Sequence, residues 1–136
     1  MKKLRPNLMV KDMKTSLAFY KDVFDAKIQS IIPIDGEPVW ALLEIGEIQI
    51  MIEKPESLAE GISELTNIPI GASLTLYVDV ENAESLYKKV KDHKADIVKE
   101  MHTTFYGTRE FYMKDPNGYI FTFAESIGGN QHIKTH

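Results

Sequence analysis

The segment FYGTREFYMKDPNGYIFTFAES, residues 105–126, decides the fold, because its pattern predicts two strands joined by a tight turn. In the turn Asp115-Pro116-Asn117-Gly118, proline presets φ at the second position and glycine adopts a positive φ without a Cβ clash. Beyond the turn, aromatic residues at odd positions alternate with smaller side chains at even positions. This period of two predicts a strand with one face buried in a core and the other face free for a different role.

The composition argues against several classes of function. The chain of 136 residues has no cysteine, which rules out a disulfide framework, a thiolate metal site and a cysteine nucleophile. Sixteen Lys and Arg residues against 20 Asp and Glu residues give a net charge of −4, without the basic patch that nucleic-acid binding uses. No apolar stretch is long enough to span a bilayer, so we expect a cytoplasmic protein without nucleic-acid or membrane partners.

The chain contains an internal repeat, since residues 4–53 and 72–126 are each predicted as β-α-β-β-β. LMVKDMKTSLAFYKDV resembles LYVDVENAESLYKKV, and GEIQIMIE resembles GYIFTFAE. Residues 54–71, which carry two prolines and two glycines, are predicted to link the two halves within a single domain, 1–136. We therefore predict an α+β fold in which tandem βαβββ repeats form a curled mixed sheet with a cleft.

Alternation within the strands predicts which side chains face this cleft. One helix per half covers one sheet face, so the opposite face is left for binding. The predicted cleft residues are Arg5, Asn7, Met9, Gln49, Met51, Glu53, Ser73, Thr75, Tyr77, Ile120, Thr122 and Ala124. An ungapped match of the repeats would instead turn Ile48, Ile50 and Ile52 toward the cleft. A one-residue slip exchanges the two faces of a strand, so the register decides between these assignments.

The paired βαβββ pattern, the opening VKDMKTSLAFYKDVF and the ending YMKDPNGYIFTFAE resemble the vicinal oxygen chelate superfamily. The resemblance covers residues 4–126. This superfamily includes glyoxalase I, extradiol dioxygenases, fosfomycin-modifying enzymes and bleomycin-resistance proteins. The resemblance therefore implies the glyoxalase/bleomycin resistance fold rather than one particular reaction.

In metal-dependent members of the superfamily, each of four cleft strands supplies one His, Glu or Gln ligand. The resemblance places these positions at Arg5, at one of Gln49, Ile50 and Met51, at Ser73 and at Thr122. Arginine has no acceptor atom, and a hydroxyl or a thioether replaces imidazole or carboxylate poorly. We therefore expect no metal, no other cofactor and no catalytic residue, and we favour a binding protein over an enzyme.

Aromatic and polar side chains are the candidates for ligand contacts. Trp40 could stack on a planar or cationic ligand, although it could equally fill a core or a dimer interface. Phe105 and Tyr106 are adjacent in a loop bounded by Gly107 and are hard to bury together, so at least one should face a cleft or a partner chain. The planar guanidinium of Arg109 could hold an anionic group or pair with a local acid. The predicted ligand-binding residues are Trp40, Gln49, Met51, Thr75, Phe105, Tyr106, Arg109, Tyr112 and Thr122.

The leading hypothesis is a metal-free homodimer, similar to bleomycin-resistance proteins, that confers antibiotic resistance by sequestering a small molecule in a cleft at the dimer interface. The first alternative is a metal-dependent enzyme of the glyoxalase or dioxygenase type with a non-standard site, built for instance from Glu53, His102 and Glu110. The second alternative is a metal-free enzyme, such as an isomerase, that uses Arg109, Tyr112 or Glu53 as acid or base.

Overall fold

The computed structural model describes residues 1–71 and 73–128, and this part of the chain confirms the predicted α+β fold. Its elements follow the order β-α-β-β-β twice, with one further helix after the first repeat. In chain order they are β1 (Asn7–Met9), α1 (Met13–Phe24), β2 (Lys27–Ile32), β3 (Trp40–Ile45), β4 (Ile48–Glu53), α2 (Pro55–Gly61), β5 (Thr75–Asp79), α3 (Ala83–Asp92), β6 (Asp96–Thr103), β7 (Thr108–Lys114) and β8 (Ile120–Ser126).

The chain divides into two compact units, of which the first ends at Gly71. The sheet of the first unit has the strand order β1-β4-β3-β2, and that of the second has β5-β8-β7-β6. In each sheet the first pair is parallel and the other pairs are antiparallel, so both sheets are mixed. The segment predicted as a linker, 54–71, belongs to the first unit and carries α2 and a short 3₁₀ helix, Ser63–Leu65.

The first unit buries one face of its sheet, where β4 contacts α1. The buried apolar residues of this unit include Leu8, Val10, Met13, Tyr20, Val23, Ala41, Leu43, Ile50 and Ile52. Because Ile50 and Ile52 lie among them, Gln49, Met51 and Glu53 occupy the opposite face. This confirms the face assignment from alternation, and the ungapped match of the repeats is wrong.

The second unit packs α3 against strands β6, β7 and β8. Phe111 and Phe123 lie side by side on this face with ring centroids 5.3 Å apart, and the ring of Tyr87 from α3 lies 5.1 Å from that of Phe111. Phe121 and Met113, which are paired in register, are buried on the same face. The aromatic odd positions of β8 therefore form the core, as the alternation predicts.

The turn between β7 and β8 has the predicted chemistry. Gly118 has a φ of 93°, and its N–H donates to the Asp115 carbonyl oxygen at 3.1 Å. The buried carboxylate of Asp115 accepts hydrogen bonds from the backbone N–H groups of Asn117 and Tyr119, both at 2.9 Å. These bonds fix the register of the hairpin, and with it the faces of β7 and β8.

The pairing of β6 and the start of β5 affect which residues the second sheet presents. β6 continues to Thr103 as an irregular strand. Its pairing with β7 shifts register twice, between Ile97 and Lys99 and again before His102, and such irregularity hides the alternation of a strand. β5 begins at Thr75, so Ser73 precedes the strand rather than starting it.

The N-cap of α3 gives a local test of this fold. The Asn82 side chain accepts a hydrogen bond from the backbone N–H of Ser85 at 3.0 Å, which satisfies one free donor of the first turn. We expect Asn82→Ala to lower the free energy of unfolding by about 1 kcal/mol in urea titrations. Asn82→Ser should keep most of the wild-type free energy of unfolding, because serine also caps helices. Equal losses in both variants would contradict the capping role.

No helix in the part of the chain that the structure describes is both long and apolar enough to cross a membrane.

Candidate functional site

The face of the second sheet opposite α3 arranges polar residues from all four strands in rows. Register places Ala124 between Asp79 and Glu110, and Glu110 beside His102. Residues in register on neighbouring strands lie on the same face of a sheet. A second row contains Tyr77, Thr122, Tyr112 and Lys99. We call this surface the helix-free face of the second sheet.

Glu110 is the centre of a hydrogen-bonded group on this face. Its Oε2 accepts hydrogen bonds from the hydroxyls of Tyr77 at 2.8 Å, Tyr106 at 2.9 Å and Thr108 at 2.8 Å. The Glu110 side chain is almost completely buried, with 1% of the residue exposed. We call these four residues the Glu110 cluster. Three neutral donors thus converge on a single carboxylate oxygen.

The other carboxylate oxygen, Oε1, receives no hydrogen bond from residues 1–71 or 73–128. Across the same residues, every fully buried side-chain oxygen and nitrogen has a hydrogen-bond partner. Because Oε1 has no such partner, it is not fully buried, and the small exposed area of Glu110 includes this atom. The ion pairs of the described chain do not include Glu110 either.

The turn between β6 and β7 brings Tyr106 to this carboxylate. Thr104 closes the turn, since its N–H donates to the Thr108 carbonyl at 2.9 Å and its hydroxyl oxygen accepts from the Thr108 N–H at 3.1 Å. Gly107 provides the positive φ, 86°. Phe105 on the same turn remains 81% exposed, with its ring 5.2 Å from that of Tyr106. Of the two adjacent aromatics, Tyr106 thus folds back onto the sheet.

The environment of the cluster changes the acidity of two tyrosines. Partial burial, followed by the hydrogen bond to Glu110 and its negative charge, raises the pKa of the Tyr77 hydroxyl. The same causes in the same order raise the pKa of Tyr106. Both phenols consequently remain protonated and able to donate to Oε2 throughout the neutral range.

These shifts predict a dependence of stability on pH. An unperturbed tyrosine ionises near pH 10. Because the folded-state pKa lies above that value, the stabilisation is complete below about pH 10 and is lost as the pH rises beyond it. We expect the ultraviolet phenolate titration of the folded protein to contain late-ionising tyrosines, one fewer in Tyr77→Phe. A titration of Tyr77→Phe that still matched the wild type would contradict this prediction.

In the first unit, the predicted site residues Trp40, Gln49 and Met51 lie on the face opposite α1. Arg5 donates to Gln49 Oε1 at 2.7 Å, and Trp40 is in register with Glu53. Glu53 accepts hydrogen bonds from Asn7, at 2.9 Å, and from Ser57 of α2. Glu53 is therefore part of a local polar network.

The second unit brings together four of the remaining predicted residues, namely Thr75, Tyr106, Tyr112 and Thr122. Tyr112 lies between Thr122 and Lys99 in its row, and its ring is 5.4 Å from that of His102. Phe105 is at the tip of the β6–β7 turn. All five therefore belong to the helix-free face or to its edge.

Arg109 does not join this group. Alternation along β7 places it on the face that α3 covers, where its Nη2 lies 3.0 Å from Glu84 Oε2. The structure thus shows the pairing with a local acid that the sequence leaves open, and a ligand contact by Arg109 stays a prediction.

The sequence marks Glu110 only as a candidate metal ligand and does not reveal its hydroxyl partners. The available signal was the alternation in REFYMK, since the apolar Phe111 and Met113 turn Glu110 toward the opposite face. The convergence of Tyr77 and Tyr106 depends on strand pairing and on a turn, which no local pattern reveals.

The superfamily's metal positions can now be placed by structural register. When the N-caps Asp12 and Asn82 are aligned, Arg5 corresponds to Thr75, which replaces Ser73 as the third position. In the same alignment Asn7 corresponds to Tyr77. Asn7 is in register with Met51, and Tyr77 is in register with Thr122, the fourth position, so Met51 is the second position.

The side chains at the four positions do not fit a divalent metal; they are those of Arg5, Met51, Thr75 and Thr122. The guanidinium of Arg5 cannot act as a ligand, and the thioether and two hydroxyls are weak neutral donors. Within the described residues, no group of three His, Asp or Glu side chains is arranged to hold a metal ion.

Known proteins resemble this chain in sequence or in structure. An uncharacterized protein of Mycobacterium tuberculosis is 23% identical over 126 residues, which cover 91% of this chain and 74% of the relative. The crystal structure of TioX from Micromonospora sp. ML1 matches with a TM-score of 0.71 and 18% identity, over 94% of this chain and 98% of TioX.

Two further crystal structures agree. The fosfomycin resistance protein FosX from Listeria monocytogenes matches with a TM-score of 0.69 and 16% identity, over 93% of both chains. A glyoxalase/bleomycin resistance protein/dioxygenase from Nocardioides matches with a TM-score of 0.77 and 15% identity, over 99% of this chain and 91% of the other. At these identities the likeness shows the fold alone. The family model matches residues 4–123, and the chain therefore belongs to the Glyoxalase/Bleomycin resistance protein/Dioxygenase superfamily.

Proposed function

We propose that this protein binds a small organic molecule at the Glu110 cluster without a metal ion, and that it acts by sequestering that molecule. The observation that carries the proposal is the state of Glu110. One of its oxygens accepts three hydroxyl hydrogen bonds, while the other accepts none within the described residues. A buried polar group held in one orientation by its neighbours is typical of a specific ligand contact.

The surroundings of the cluster support a role in binding. Tyr112 and His102 offer ring surfaces on the same face, and Thr122 offers a hydroxyl beside them. A few polar groups among aromatic side chains is the usual composition of a small-molecule site. Thr75 and Phe105 are further proposed contacts at the edge of this face.

Trp40, Gln49 and Met51 of the first unit are proposed as additional ligand contacts, and the ligand groove is proposed to form in a homodimer. The superfamily to which the chain belongs favours both suggestions. FosX is described as a fosfomycin resistance protein, which makes antibiotics the first molecules to test. A cytoplasmic location and a role in antibiotic resistance belong to the same proposal.

The proposal can be tested by equilibrium dialysis of the purified protein against fosfomycin and a bleomycin-type glycopeptide. We expect at least one molecule of such a class to be retained without added metal and to be recovered chemically unchanged, as judged by mass spectrometry. Prior incubation with Zn²⁺, Ni²⁺, Mn²⁺ or Fe²⁺ followed by dialysis should leave binding unchanged. A recovered product would instead favour the enzymatic alternatives, and binding that requires one tightly held metal per chain would contradict the metal-free site.

A further inference from the structure

We infer that the ligand carries a protonated nitrogen, such as an amine, amidine or guanidinium, that donates a hydrogen bond to Oε1 of Glu110. This inference rests on the proposed function, because it names the class of ligand for the same site. It follows from three features of the helix-free face: a buried carboxylate without a cation, a second carboxylate in the same row, and the narrow access to Oε1.

The first feature is the charge of Glu110. Its three partners, the hydroxyls of Tyr77, Tyr106 and Thr108, satisfy hydrogen bonds but bring no positive charge. A buried carboxylate loses hydration, and this loss is offset best by a cation in direct contact. The described chain supplies no such cation to Glu110. A cationic ligand would supply the missing counter-charge.

The second feature is the local balance of charge. Asp79 is exposed and shares the row of Glu110, separated from it only by the methyl group of Ala124. Strands two apart in a sheet lie about 10 Å from each other. In the neighbouring row Lys99 places its Nζ over the Tyr112 ring, 5.7 Å from the centroid, and forms no ion pair with Glu110. The row around Glu110 therefore attracts cations and repels anions.

The third feature is the geometry around Oε1. Tyr77 and Tyr106 direct their hydroxyls to Oε2, as does Thr108, which leaves Oε1 as the acceptor for a ligand. Glu110 is 1% exposed, so only a slender group can reach it. An N–H group satisfies this condition, whereas a quaternary ammonium has no N–H to donate. The inferred ligand is thus a protonated nitrogen joined to an apolar body.

The test uses four probes that share a benzene ring: benzamidine as the cation, benzamide as the neutral amide, benzoate as the anion and phenyltrimethylammonium as the quaternary cation. Affinities are measured by calorimetry or by ligand-observed NMR. We expect benzamidine to bind the wild type at least about tenfold more tightly than the other three, since hydrogen bonds to charged groups are worth that much. Added salt should weaken its binding.

The matched variants are Glu110→Gln and Glu84→Gln, which make the same substitution on opposite faces of the second unit. Glu110→Gln should lower the affinity for benzamidine about tenfold or more and that for the neutral benzamide by a much smaller factor. Glu84→Gln should change neither. Asp79→Asn, at an exposed position, should lower the affinity for benzamidine by a smaller factor, and it keeps the inference testable if Glu110→Gln does not fold.

The outcomes separate the inference from the proposed function. Equal affinities for benzamidine and benzamide, or an equal loss in Glu84→Gln, would overturn the cation inference. Retention of a neutral or anionic antibiotic would then leave the proposed function standing. Failure of every probe and every antibiotic to bind would overturn both.

Discussion

Phe121→Ala is expected to lower the free energy of unfolding by about 3–5 kcal/mol, the range for truncating a buried aromatic side chain. Phe121 is 3% exposed and stacks on Phe123 with ring centroids 5.7 Å apart. It is also in register with the fully buried Met113. These neighbours are held by the hydrogen bonds between β7 and β8, so they cannot move into the space left by the ring without breaking those bonds. The cavity would therefore stay largely open, which places the loss in the upper part of the range.

The matched controls are Thr75→Ala and Thr122→Ala. Thr75 is exposed on the helix-free face, so its truncation should change the free energy of unfolding by no more than about 0.5 kcal/mol. Thr122 belongs to the same face although it is 8% exposed, and its loss should also be well below that of Phe121. Urea or thermal unfolding measures all three variants. Equal, small losses at the three positions would show that the faces of β8 are assigned incorrectly.

The sequence predicted the sheet faces because burial imposes a period of two on each strand. In β4 this alternation placed Ile50 and Ile52 in the core, and the same rule placed Phe121 and Phe123 there. A weaker signal, the similarity of GEIQIMIE to GYIFTFAE, gave the opposite result for β4. It failed because the two repeats differ by one residue at the Gly46 turn, and one residue exchanges the faces.

Register between the repeats was harder to predict than the strands. Ser73 corresponds to Arg5 as a metal position only when the two repeats are aligned on their strand valines, Val10 and Val78. The N-caps give a better alignment, because Asp12 and Asn82 occupy the same place relative to their helices. That alignment selects Thr75. A cap is fixed by the hydrogen bonds of a helix end, whereas a valine fits many strand positions equally well.

The candidate site could be predicted only in part. Alternation alone places Tyr77, Tyr112 and Thr122 on the helix-free face, since each follows the period of its own strand. The Glu110 cluster depends on contacts between β5, β7 and the turn that carries Tyr106, and these are set by tertiary pairing. Arg109 shows the opposite case, because its partner Glu84 lies on a helix whose position over β7 the sequence does not state.

Glu110→Ala is expected to lower the free energy of unfolding by about 2 kcal/mol or more. Three hydroxyls lose a charged acceptor, and each such bond contributes about 1.5–3 kcal/mol net in favourable cases. Tyr77 is 54% exposed and can turn to water, but Tyr106 and Thr108 are half-buried and recover less. The loss is reduced because the variant no longer buries an unpaired charge. Glu110→Gln should lose about 1 kcal/mol or less, since its amide oxygen still accepts hydrogen bonds.

The order of these two variants decides between two roles for the carboxylate. If Ala is less stable than Gln and both are less stable than the wild type, the hydroxyl bonds stabilise the fold in addition to shaping the site. If Glu110→Ala is instead more stable than the wild type, the buried charge is a net cost to the free protein. A cost of that kind persists at functional sites, where ligand binding offsets it. Added benzamidine would then raise the free energy of unfolding of the wild type and not that of the variant.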